Sequence, residues 1–323
     1  MITTRNYWAL PLVAAGLLAL SACDADFGDW GPSDRFKADF HETHALEPGG
    51  TLSLENFNGS VEITSWNDDH VEINGTKYAS QRAYLDDMKI EVGGTDSAVH
   101  IRTIRPSISH CNCGARYTIR VPKRVTLDEI VSSNGGIQIE GIQGAARLRT
   151  SNGSIRVENL TGDLRARTSN SSIEIREMTG NVNVHTSNGH IDAEVSNGSF
   201  EAETSNSKIE AVLANPSSSW PVKLNTSNGG IDLTLKASKL PDVRAGTSNS
   251  SITLHVPATA DARVRATTSS HNSIDSDFSG LMAGGDEDGD RRHRRSDIDG
   301  KIGQGGPLIE LSTSNGSIHI LKL

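Results

Sequence analysis

Three groups of residues have the types and spacing to do chemistry. In His110-Cys111-Asn112-Cys113-Gly114 two thiols stand one residue apart, which suits a structural disulfide, a labile redox pair or, with His110, a metal site. Arg147, Arg149, Arg165 and Arg167 form two pairs 18 residues apart, and their guanidinium forks fit phosphates or carboxylates. Asp286-Glu287-Asp288-Gly289-Asp290-Arg291-Arg292-His293-Arg294-Arg295 sets an acidic block against a basic one.

Each group also has a plain structural reading, which for the four arginines is a solvated solenoid face. Tetrahedral zinc needs a fourth ligand that this spacing does not offer, so a Cys111–Cys113 disulfide pinning a loop is the expectation. Flanking glycines and the interrupted spacing between Ile274 and Ile318 mark residues 284–301 as a charged insert looping out of the fold, and its acidic block neutralises the basic one that could otherwise bind polyanions. No residue is assigned to catalysis, and neither a metal nor a cofactor is expected.

The remaining cysteine, Cys23, has a different setting. Arg5 is followed by a short apolar run from Ala9 to Leu20 and then by Leu20-Ser21-Ala22-Cys23. This looks like a bacterial lipoprotein signal over residues 1–22: Ser21 and Ala22 are small enough to admit a signal peptidase, and the Cys23 thiol can carry a diacylglycerol with acyl chains such as palmitate. The run is too short for a permanent span. These features predict export and lipid anchoring in the cell envelope, on the periplasmic side of the inner or outer membrane, with residues 23–49 as tether and lead-in.

The elements that position these residues follow from composition and repeats. The chain has 323 residues with 31 basic and 40 acidic side chains, a net charge of −9 that argues against general nucleic-acid binding. Aromatics make up 4% beside 31 glycines, so burial must come from aliphatic side chains in thin layers. From residue 133 a Ser-Asn phrase recurs, with Asn134, Asn152, Asn170, Asn188 and Asn206 at steps of 18, then Asn228 and Asn249, and Asn315 closing the series. Gly144, Gly162, Gly180 and Gly198 fall half a period away.

Between the turns apolar and polar residues alternate, as in Ile155, Val157, Leu164 and Ala166 against Arg156, Glu158, Arg165 and Arg167. Period two in short runs bounded by Asn, Gly and Ser is the signature of half-buried strands. Two strands and two turns per unit, unable to bury one face alone, predict an all-β solenoid of about a dozen two-strand coils stacked about 4.8 Å apart.

The asparagines are expected to supply left-handed backbone at one corner, since the following residue is sometimes Gly and sometimes Ser. Stacked there, they and Thr150, Thr168, Thr186, Thr204, Thr226, Thr247 and Thr313 are expected to form hydrogen-bonded ladders. The same register aligns Arg147, Arg165, Asn183 and Glu201, and beside them Arg149, Arg167, His185 and Glu203. On the other face Arg156 meets Glu174 and Glu158 meets Arg176.

With these residues in hand, the chain over about residues 50 to 323 resembles the bacterial β-strand-repeat family of "putative adhesins", also called the toast-rack domain of unknown function. The resemblance is carried by Leu54-Glu55-Asn56-Phe57-Asn58-Gly59-Ser60-Val61 with Trp66, by Tyr117-Thr118-Ile119-Arg120-Val121-Pro122, by the Ser-Asn-Gly phrases and by Ile302-Gly303-Gln304-Gly305-Gly306. It implies a single-stranded, right-handed β-helix-like fold on the outer side of a membrane and no established catalytic residues.

The period also matches calcium β-rolls, but those take carboxylates from Gly-Gly-x-Gly-x-Asp turns, which are missing here. The functional expectation is a non-enzymatic, lipid-anchored envelope module, adhesin-like or stress-associated, that presents solenoid faces to an envelope protein or glycan. The alternative is a β-helix polysaccharide-processing enzyme, for which acids such as Asp192 and Glu194 would have to line a cleft.

Overall fold

The computed structural model describes residues 34–107, 111–216, 219–269, 272–282 and 296–323. Cys23, His110 and most of the charged segment, residues 283–295, lie outside them.

Alternation decides the architecture. In Ile155–Glu158 and in Leu164–Arg167 the first and third side chains are buried and the second and fourth exposed. Such a strand needs an apolar layer against its inner side and a neighbour along each backbone edge. Two thirteen-stranded sheets meet both needs, and their inward side chains form one continuous core. Each repeat contributes one strand to an isoleucine sheet, such as Ile155–Glu158, and one to an arginine sheet, such as Ala146–Thr150.

Neighbouring coils pair in parallel. Ile137, Ile155, Ile173, Ile191, Ile209, Ile231 and Ile252 form one unbroken column, none more than 2% exposed. β-branched side chains suit this stacking, and each buried one stabilises the fold by about 1.5–3 kcal/mol. The facing column runs Ala146, Leu164, Val182, Phe200, Val222 and Val243. The product is a β-helix-like solenoid. Of the thirteen strands in each sheet, two at the ends pair antiparallel and eleven stack as coils.

The ends depart from simple succession. Thr51–Asn56 and Val61–Trp66 lie between Ala98–Ile104 and Cys113–Pro122 on one side and Thr126–Ser132 and Ile137–Glu140 on the other. At the far end Leu308–Thr313 and Ile318–Lys322 lie between Val243–Thr247 and Ile252–Val256 below and Ala262–Thr267 and Ile274–Ser276 above. At both ends, then, the chain leaves one level to a segment distant in sequence. The coil of Asn315 is the last in sequence but not in space.

Two expected boundaries move accordingly. The strand Phe36–Ala45 pairs with His70–Ala79, so the sheet begins inside the segment taken as tether and lead-in. Asp297–Ile302 runs antiparallel along Ala262–Thr267, so the end of the expected 284–301 insert is an edge strand. Open backbone edges explain both, because an unpaired strand edge is a costly thing to expose: Phe36–Ala45 covers His70–Ala79, which itself covers the end coil at Cys113–Pro122, and Asp297–Ile302 covers the end coil at Ala262–Thr267. Among the described residues no helix is long and apolar enough to cross a membrane.

The corner asparagines are a correction. Among the described residues only Glu129 (φ 61°), Asn159 (52°) and Glu177 (52°) adopt positive φ without being glycine. Asn134, Asn152, Asn170, Asn188, Asn206, Asn228, Asn249 and Asn315 do not. Their corner turns instead by bonding backbone to the coil below, as where Ser169 and Asn170 both donate N–H to the Ser151 carbonyl at 3.1 Å. Two of the left-handed residues lie at the opposite corner, where Gly141 (75°), Asn159 and Glu177 succeed one another at 18 residues, and Glu129 lies within Thr126–Ser132.

Glycine follows an asparagine where backbones approach closely. A Cβ on Gly189 would lie 1.8 Å from the Ser171 carbonyl oxygen. Ser171 itself takes the same place differently, its hydroxyl donating to the Asn152 carbonyl at 2.8 Å.

Candidate functional site

The two ladders have different chemistry. Asn152 donates its side-chain amide to Asn134 Oδ1 at 2.7 Å, and the pattern continues through Asn170, Asn188, Asn206, Asn228, Asn249 and Asn315 at 2.6–2.9 Å. These amides are on the surface. The threonine row is buried: Thr150, Thr168 and Thr204 donate Oγ1–H to the carbonyls of Gly135, Gly153 and Gly189 at 2.9–3.0 Å. Thr186, Thr226, Thr247 and Thr313 donate to carbonyls of residues 171, 207, 229 and 250 in the same way. With its donors directed at backbone, that row holds the corner together.

Cys111 and Cys113 are joined by a disulfide, with Cα atoms 5.3 Å apart. Cys113 is fully buried beside Ala79, Leu85 and Met88, in a small cluster under the helix Arg82–Asp87. Among the described residues no three His, Cys, Asp or Glu side chains gather as a metal site; His110 lies outside them.

The outer faces of the two sheets treat charge differently. On the isoleucine sheet, neighbouring coils neutralise one another. Arg156 reaches Glu174 at 2.7 Å, Arg176 grips Asp192 with both nitrogens, and Lys208 lies 3.3 Å from Asp232. The Arg176 hydrogen bond is the main reason the Asp192 carboxyl sits below its ordinary pKa, with partial burial pulling the other way.

On the arginine sheet, Arg147 pairs with Arg165 and Arg149 with Arg167 across one coil step. Only Arg147 has an acidic partner, Asp128, at 2.7 Å. That contact depends on a bulge. Leu127 faces Ala146 and Ile130 faces Leu148, so two residues, Asp128 and Glu129, stand against Arg147 alone. Glu129 occupies the left-handed region there, a conformation found at bulges that redirect side chains.

Among the described residues, Arg149, Arg165 and Arg167 form no ion pair or side-chain hydrogen bond, although all three are exposed. They border an open furrow of about 290 Å³ with Glu129 and Val131. A larger furrow of about 610 Å³ adjoins it, sharing Glu129 and Val131 and adding Arg102, Arg105 and Phe57. Arg105 lies 4.7 Å over the Phe57 ring, and Arg102 is 3.3 Å from Glu55. Farther along the row the sign changes, with Asn183 donating to Glu201 at 2.8 Å and His185 3.4 Å from Glu203.

Sequence reasoning placed the four arginines together but missed Asp128 and Glu129. The signal was available, because Leu127-Asp128-Glu129-Ile130 breaks the period-two alternation by one residue. Ile175-Arg176-Glu177-Met178 breaks it in the same way, and there too the strand bulges, with Ile175 facing Ala193 and Met178 facing Val195.

Several solved structures are similar to this chain. A "putative cell adhesion protein" from Clostridium sporogenes is 14% identical, covering 88% of this chain and 100% of its own, with a TM-score of 0.21. A "putative adhesin" from Parabacteroides distasonis is 10% identical over 88% and 97%, with a TM-score of 0.39. A "putative lipid binding protein" from the same species is 11% identical over 90% and 98%, with a TM-score of 0.31. No family model and no curated protein matches the chain. At these scores the fold rests on the chain's own strand pairing, and function must be argued from its surfaces.

Proposed function

We propose that this chain is a non-enzymatic binding module of the bacterial cell envelope, exported, anchored by lipid on Cys23, and adhesin-like in meeting an envelope protein or glycan with its solenoid faces. The observation that carries the reading is the regular outward row of charged and polar side chains repeated over eleven stacked coils. Stacked repeats of this kind create extended surfaces that engage partners along their length. The outward acids fit the same role: Asp192 is held ionised by Arg176, the opposite of the raised pKa that suits a proton donor at neutral pH. Lipidation is supported by Leu20-Ser21-Ala22-Cys23.

The test compares the wild-type chain with Cys23→Ser by detergent-phase partitioning, and incubates both with envelope polysaccharides. Partitioning should be lost in the variant, because two acyl chains provide about 0.8 kcal/mol per buried methylene and the variant has none. Neither protein should release reducing ends. Unchanged partitioning would remove the anchor, and released ends or unsaturated sugars would establish a polysaccharide-processing enzyme instead.

A further inference from the structure

We infer that Arg149, Arg165 and Arg167 form an oxyanion site for the acidic groups of an anionic polysaccharide lying across the strands of the arginine sheet. This rests on the envelope-binding reading and names its ligand class.

Three observations support it. Arg149 faces Arg167 directly, and like charges directly opposite on neighbouring strands are destabilising. On the isoleucine sheet comparable cations meet carboxylates on adjacent strands, and the chain as a whole carries excess acid. With Asp128 engaged by Arg147 and only Glu129 besides it bordering the furrow, the three guanidinium groups that form no ion pair leave net positive charge for an anion supplied from outside. The bulge adds selectivity: it hands Asp128 to Arg147 while leaving the other three guanidinium groups available, with donors in the planar fork that carboxylates and phosphates accept.

A linear polymer fits this geometry. The furrow beside the three arginines continues past Glu129 and Val131 into the one bordered by Arg102 and Arg105. From the strand Ala98–Ile104 to the strand Ala146–Thr150 the path crosses two intervening strands, roughly 14 Å at strand spacing. A planar anionic membrane fits poorly, because it would also meet Glu201 and Glu203, which share one strand two coils beyond Arg165 and Arg167 on the same rows. Leu323 is the only large hydrophobic residue exposed among those described, so this face has no apolar side chain to insert into lipid.

The test titrates the Cys23→Ser chain with labelled oligogalacturonate, with neutral dextran of equal length, with inorganic phosphate and with phosphatidylglycerol vesicles. Oligogalacturonate should bind saturably and weaken as salt is added. Arg149→Gln with Arg167→Gln should weaken it roughly tenfold or more, while Arg147→Gln and Arg156→Gln stay within about twofold. The double variant should melt no earlier than its parent, since it removes two opposed like charges; Arg165→Gln alone repeats the test with a single change. The inference is overturned by equal binding of dextran, by tighter binding of phosphate or vesicles than of oligogalacturonate, or by equal loss in Arg156→Gln.

Sedimentation with isolated envelopes separates this from the broader function. If the double variant attaches as its parent does, the envelope reading stands and the arginine site falls. If neither attaches, the envelope reading falls, and the oligogalacturonate titration still decides the site.

Discussion

Ile252 is paired with Ile318, although Ile274 is the first of the two to follow it in the chain. The C-terminal coil therefore occupies a level that the preceding chain has stepped over, with parallel partners on both sides. Removing residues 308–323 should unpair four strands at once and open residues 243–276 to hydrogen exchange. Coils near Asn152 and Asn188 should keep their protection, because each coil contacts only its neighbours. Loss of protection along the whole rod would show that stability is not local in this way.

The asparagine ladder predicts an order of stability effects. Asn170 donates to Asn152 at 2.6 Å and accepts from Asn188 at 2.9 Å. Asn170→Ala removes both bonds, at about 0.5–1.5 kcal/mol each in a typical case and toward the lower end on this exposed corner. Arg167→Ala, outward and without an ion partner, should stay within about 0.5 kcal/mol. Denaturant midpoints of the two variants give the comparison; an equal or larger loss in the arginine variant would leave the ladder without a stabilising role.

Backbone strain belongs to the other corner. Glu177 at φ 52° should tolerate Gly with no loss, whereas Val should cost roughly 1–2 kcal/mol from crowding in the left-handed region. Asn170, outside that region, should gain nothing from Gly. Thermal melts of Glu177→Gly, Glu177→Val and Asn170→Gly distinguish the two corners, and a stabilising Asn170→Gly would restore the left-handed assignment there.

Acid should weaken one cross-coil contact selectively. The Arg176 hydrogen bond holds Asp192 below its ordinary 3.8. Its folded pKa is thus lower than its unfolded one, so the contribution is complete above the unfolded value and disappears as pH falls through the folded value. Asp192→Asn should lower the melting midpoint modestly at neutral pH, since the pair is partly exposed and screened. The difference from wild type should vanish in strong acid. A constant difference at every pH would mean that the carboxyl's charge is not what stabilises the contact.

The middle of the rod was legible in the sequence because each coil repeats the same demand, an isoleucine inward and a polar residue outward, as from Ile137 to Ile252. The ends were not, because alternation says which side a residue faces and nothing about which level its strand occupies. Ile274 and Ile318 read alike, yet only their neighbours fix their order. The arginine cluster was legible for the same reason as the core. The bulge was legible too, as a one-residue break in alternation at Leu127-Asp128-Glu129-Ile130, but which of the two acids it turns toward Arg147 was not, because that depends on the backbone path through the slip.

The most direct measurement is co-sedimentation of the Cys23→Ser chain with isolated bacterial envelopes over a range of protein concentrations. Without its acyl chains the protein lacks its expected lipid anchor, and saturation separates attachment through the folded surface from non-specific partitioning of apolar sequence. Saturable attachment, with no sugar released into solution, is the expected result. Attachment that does not saturate, or none at all, would contradict a binding role for the solenoid faces.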